Sequence, residues 1–232
     1  MNELATVFRL IMSTSGLLVV LALILTLRRR SREGRRLTGV LVGWWGLAGA
    51  AAVGVTHLLA GPIPQLVPVG LGLGLVVVGV GLATPAVRTA FDALEDGDWR
   101  LFMGARAVIG SLILGSAATG LFPTRFALEA GLGDLAVGGV ALMLPTSLAN
   151  GPRAPRLALF ALGVADFLNV MRQIPTTVVP WLAESGSPGT SLVLPWVLVP
   201  ALIALNAHGL RRALKASTAR IEVDAATAPP MG

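Results

Sequence analysis

Long apolar blocks alternate along this chain with short polar intervals. The blocks cover residues 4–27, 38–60, 66–87, 101–121, 127–148, 155–174 and 190–210. Each is about as long as a helix must be to cross the hydrocarbon of a bilayer, so the pattern predicts an all-α bundle of seven membrane-spanning helices. Residues 1–215 are read as that bundle and 216–232 as a flexible polar tail.

Composition supports lipid as the solvent. Hydrophobic residues make up 54% of the chain and charged ones 13%, with a mean hydropathy of +0.78. The 28 glycines are too many for ordinary soluble helices but suit membrane helices, where small residues let backbones approach closely. In the third block the run Gly70-Leu71-Gly72-Leu73-Gly74 has no strand before it, so it is not read as a nucleotide-binding loop. Gly70 and Gly74 are read as a helix contact face. The chain has no cysteine, which excludes a disulfide framework, a thiolate nucleophile and cysteine-held metals.

The net charge of +6 does not indicate nucleic acid, because the basic residues sit at block ends. The loop at residues 28–36 carries Arg28, Arg29, Arg30, Arg32, Arg35 and Arg36, as the cytoplasmic end of a membrane helix does. Such a loop is also suited to holding anionic lipid. With the N-terminus outside, that loop, Arg88, Arg100, Arg153, Arg156, and Arg211, Arg212, Lys215 and Arg220 of the tail all fall inside, fourteen of the 18 basic residues. The orientation is therefore N-out and C-in, in a cell inner membrane. The first block follows no positive charge and is too long for a secretory signal, so it is read as a retained helix. The acidic stretch with Asp92, Glu95, Asp96 and Asp98 is read as a solvated turn without a metal.

The polar residues inside the blocks carry what chemistry there is. Gly131-Leu132-Gly133-Asp134-Leu135 and Gly163-Val164-Ala165-Asp166-Phe167 share one pattern, and each sets a carboxylate where burial is costly. At 1.5 Å per residue, Asp134 and Asp166 lie roughly 10 and 12 Å below the outer ends of their helices. Arg9 and His57 fall in the same half. Asn169 and Gln173 lie on the Asp166 side of the sixth helix, with Arg172 further round. This predicts an outward-facing polar pocket of Asp134, Asp166, Asn169, Gln173, Arg9 and Arg172, with His57 nearby. Arg106 and Asn206 stand apart as inner-side polar candidates at about one depth, with Arg106 alternatively reaching to the inner surface.

Two accounts of the pocket stand side by side. In one, Asp134 pairs with Arg9 or Arg172 and the network fixes how the helices pack. In the other, the carboxylates bind a small solute or carry a proton in transport or sensing. Catalysis is the least favoured class, since no HExxH motif and no Ser/His/Asp set falls at one depth. No cofactor is expected. His57 and His208 lie at opposite faces and would not hold a haem between them. A non-catalytic scaffold is the alternative function, with a homo- or hetero-oligomer built through glycine-rich helix faces.

Seven helices with an outside N-terminus resemble microbial rhodopsins, but the Schiff-base lysine of those proteins has no counterpart, Lys215 being the only lysine and lying in the tail. The stretch Arg125-Phe126-Ala127 through Gly131-Leu132-Gly133-Asp134 to Val137-Gly138, with the Asp166 and Asn169 segment after it, resembles uncharacterised bacterial multi-helix membrane proteins. That resemblance spans 106–172 and implies no known activity.

Overall fold

The structure is a computed structural model that describes residues 3–58, 66–144, 153–185 and 194–227. It is helical throughout the described residues, with no strand among them. Helix α1 is Glu3–Arg30, α2 is Arg32–Leu58, α3 is Leu66–Ala83, α4 is Pro85–Asp92, and α5 is Asp96–Thr119. Then come α6 (Thr124–Met143), α7 (Arg153–Gln173), a π-helical turn at Ile174–Val178, α8 (Val179–Ser185), a second π turn at Leu194–Leu198, and α9 (Val199–Thr227). Five helical stretches of the described residues are long and apolar enough to cross a membrane, or six if the bent pair α3–α4 counts as one span. The chain is thus a multi-pass membrane protein in its architecture.

Three boundaries differ from the sequence reading, each for a local reason. The third block stops at Ala83, where Pro85 opens α4 after Thr84 in extended backbone and the axis turns through 85°. Proline at a first helical position costs no hydrogen bond, so the chain restarts as a short helix. After the sixth block the sequence suggests a loop containing Trp181 and Glu184, yet helix continues to Ser185. Pro175 has no N–H to give and its ring displaces the preceding turn, and the backbone widens into the π turn without breaking. Pro195 stands at the same position of the second π turn. Finally, α9 runs on to Thr227, past residue 210 where the seventh apolar block ends.

Glycines set the distances between helices. A Cβ on Gly110 would lie 2.5 Å from the Gly131 carbonyl oxygen, and one on Gly138 would lie 2.2 Å from the Ala107 nitrogen. Helices α5 and α6 therefore meet backbone to backbone. Gly120, at φ +67°, ends α5 in the left-handed conformation that only glycine adopts cheaply and turns the chain into α6. Gly70 and Gly74 of α3 would strike Trp196 and Pro200, at 1.9 and 2.2 Å; the GxxxG run is a packing face, as its spacing indicates.

At the other end of the bundle the acidic stretch is a solvent-exposed turn, as expected, and its carboxylates also act as a clasp. Glu95 and Asp98 form a reciprocal capping box at the start of α5. Arg30 donates to Asp98 at 2.9 and 3.1 Å and pairs with Glu95. Arg211 pairs with Asp92, and Arg212 donates to the Leu94 carbonyl at 2.5 Å. The end of α1 and the middle of α9 are so tied to the end of α4 and the start of α5.

Candidate functional site: a buried arginine between two aspartates

Arg106 is fully buried in the middle of α5, and it is the residue around which the polar interior is arranged. Its Nε donates to Asp134 Oδ1 of α6 at 2.6 Å, and its Nη2 donates to Asp166 Oδ2 of α7. The guanidinium lies over the Phe167 ring, 4.6 Å from the centroid, which adds a cation–π contact to the two ionic ones. Three helices are joined through one side chain.

Small residues make room for this arrangement. A Cβ on Gly133 would fall 1.7 Å from Asp166 Oδ1, so α6 can pass close to α7 only because residue 133 has no side chain. A Cβ on Gly163 would lie 2.0 Å from Asn206 Oδ1 and 3.1 Å from Arg106 Nη1. Asn206 donates to the Leu202 carbonyl, as a helical residue can to the preceding turn, while its Oδ1 faces α7 without a hydrogen-bond partner. Arg106 Nη1 and Asp166 Oδ1 are likewise buried without partners. Buried polar atoms in native proteins nearly always find one, and here three unsatisfied ones belong to the residues of this one cluster.

An apolar cavity of ≈ 80 Å³ ends on this cluster. Asp134 and Asp166 are its acidic lining; Phe126, Val170, Val178 and Leu194 are among the apolar side chains above them. Residues of both π turns line it, so the two proline-widened stretches shape its wall. A single water occupies about 10–15 Å³ on this measure. The cavity thus has room for several waters or a small solute.

The residues expected in the pocket are distributed differently. The two aspartates take their guanidinium from Arg106, where the sequence suggested Arg9 or Arg172. The Arg106 Cα lies only roughly 5 Å deeper than that of Asp134 when each is counted from its own helix end, and the long side chain spans the difference inward to the bundle and not to the surface. Arg172 is exposed instead, donating to Asn169 at 2.9 Å and to Glu129 at 3.2 Å. Asn169, half-buried, accepts that bond and is not part of the cavity lining. Gln173 is buried with both amide atoms unpartnered, one turn beyond Asn169. Arg9 lies half-buried on α1. The side chain of His57 lies outside the described residues. The Arg106–Asn206 pair, read as a separate inner site, is part of the same cluster as the aspartates.

The fold and this site together define a multi-pass helical membrane protein built around a buried Asp–Arg–Asp triad. Residues 65–214 match the family described as a domain of unknown function, DUF8737; that is well over half the chain, which belongs to this family. The match includes all three triad residues. No curated protein and no solved structure matches the chain.

Proposed function

We propose that the protein binds a proton or a small cationic solute at Asp166, in a transport or sensing role. The reading rests on one observation: the cluster holds one guanidinium and two carboxylates. A buried arginine needs a single carboxylate for neutrality. With both aspartates ionised the cluster carries a net charge of −1 in a medium of low dielectric, a state that strongly favours uptake of a compensating positive charge. Both aspartates stand on the cavity wall, and Asp166 is the one with a buried oxygen that has no hydrogen-bond partner. Asp134 is then the standing partner of Arg106, and Phe167 and the glycines hold the arginine in place.

The proposal extends to topology. Seven crossings result if α2, 27 residues long, spans as well as α1, α3, α5, α6, α7–α8 and α9. The N-out orientation then puts the cavity on the outer side and the arginine-rich ends inside, in a cell inner membrane. The alternative, a non-catalytic scaffold, draws on the complete burial of Arg106, which suits a packing lock.

Infrared difference spectroscopy of the purified protein tests the first reading. Between acidic and alkaline buffer, the wild type should show, beside the bands of its exposed carboxyls, a protonated-carboxyl band at the higher frequency of a buried group, and this band should vanish in Asp166→Asn, with helicity unchanged. A wild-type protein lacking any such band, and binding no organic cation in equilibrium dialysis with alkylammonium probes, would favour the scaffold.

A further inference from the structure

A second cavity, ≈ 310 Å³, lies at the arginine-rich end, between α2 and α3, with α1, α4 and α9 behind it. It shares no lining residue with the triad cavity. Its depth follows α1 from Val20 to Leu27, roughly 10 Å along the axis. The other elements keep the same order: Trp44, Val77 and Val197 line the deep end, and Leu37, Thr84 and Phe91 the end by the arginine loop. The slot is therefore narrow, apolar and parallel to the helices.

Of its polar side chains, Thr84 gives its hydroxyl to the Val80 carbonyl, and His208 stands out. His208 lines the slot at its arginine end and is 1% exposed. Its ring stacks on Phe91 at 4.2 Å, nearly parallel, which fixes its orientation. Its Nδ1 is buried and has no hydrogen-bond partner. Leaving such a group unpaired is costly, so a built site for a polar ligand atom is indicated there. The charged groups around the imidazole are Arg211, Asp92 and Arg88. Asp92 is occupied by Arg211. Immediately beyond Leu27, Arg28 and Arg29 continue the positive field.

From this geometry we infer that the slot binds one acyl chain of an anionic membrane phospholipid, with the ester–phosphate region at His208 and the phosphate in the field of Arg88 and the 28–36 arginines. A hydrocarbon chain fits the long apolar shape and a lipid lies alongside in the bilayer. The arginines select an anionic head over a zwitterionic one, and His208 supplies the hydrogen bond at the junction of head and tail. The inference is independent of the role proposed for Asp166.

The test is lipid retention. Protein purified in mild detergent is extracted and its phospholipid measured by mass spectrometry, and its melting temperature is followed as phosphatidylglycerol or phosphatidylcholine is added in mixed micelles. Wild type should retain anionic phospholipid in stoichiometric amount, and phosphatidylglycerol should raise Tm progressively with concentration while phosphatidylcholine does so weakly. Ala204→Phe, which fills the slot, should lose most of the bound lipid and the Tm response. His208→Phe keeps the stack on Phe91 and should lower the preference for phosphatidylglycerol. Circular dichroism and size-exclusion profiles establish that each variant is folded. Lipid-free wild type that ignores phosphatidylglycerol would overturn the inference without any variant, as would a folded Ala204→Phe protein that retains lipid normally. Equal responses to the two lipids would overturn the anionic assignment.

Discussion

Arg106 contributes to this protein differently from the two aspartates, because the charges are unequal in number. Arg106→Met leaves two carboxylates facing each other in a low-dielectric interior, a loss of roughly 3–5 kcal/mol by analogy with broken buried ion pairs. Asp166→Asn leaves the 2.6 Å pair of Arg106 with Asp134 intact, and should cost far less. Thermal unfolding in detergent checks this, and an Asp166→Asn protein as unstable as Arg106→Met would show that both carboxylates are needed to hold the arginine. The aspartates were legible in the sequence, since each sits well inside an apolar block, whereas Glu129, Arg156 and Arg172 lie near the block ends. Their partner was not. Counting residues from helix ends gives the depth of a Cα, whereas a guanidinium acts several ångströms away, and no pattern within α5 says to which side it turns. The clue present was in the neighbours: Gly133 and Gly163 lie against Asp166 and Asn206.

At the scale of the helix, glycine is a contact in one register and a weakness in the next. Gly138 faces the α5 backbone, while a Cβ on Gly139 would have no atom within 4 Å. Gly138→Ala must push α5 and α6 apart and should destabilise by about 1–3 kcal/mol, the usual cost of overpacking. Gly139→Ala should be neutral or stabilising by up to about 1 kcal/mol through helix propensity. Melting temperatures of the two single variants decide it, and equal shifts would show that the α5–α6 contact does not constrain the pair. The capping box offers a similar contrast at the far end of α5. Asp98 serves both the cap and Arg30, so Asp98→Ala should lose about 1–2 kcal/mol, measured in the same melts, while exposed Glu95 matters less. Helix existence was readable from block length, and the Gly70/Gly74 face from spacing. The continuation through Pro175 was not, because a proline after an apolar block ordinarily signals a stop, and only packing of Ile174 and Val178 into the core shows that the helix goes on.

For the molecule as a whole, the arginine-rich ends and the triad cavity lie at opposite ends of the bundle, and the proposed orientation, argued from the charge bias, has the arginine-rich end facing the cytoplasm. A reporter fused after Arg36 or after Lys215 should be cytoplasmic, and one inserted at Gly186, which is outside the described residues, should be external. A cytoplasmic reporter at Gly186 would require a different number of crossings. That distribution of charge was visible in the sequence, as was the lipid-facing character of the chain; which polar groups share an interior depended on how three helices rotate about their axes. The same view of the whole separates the two roles open to the triad. If Arg106, Asp134 and Asp166 serve only to lock α5, α6 and α7, apolar residues of similar volume can replace all of them, since buried ion pairs are often exchanged for well-packed hydrophobic groups at no loss, or with a gain of about 1–4 kcal/mol. The triple variant Arg106→Met, Asp134→Leu, Asp166→Leu should then insert, fold and melt at or above the wild-type temperature. If the charges exist for a proton or a cation, this variant should still fold, because the packing argument does not depend on function, but the titratable infrared band should be gone and any growth phenotype of a deletion strain should remain uncomplemented. Complementation by the folded triple variant would remove the binding role and leave the triad as a packing device.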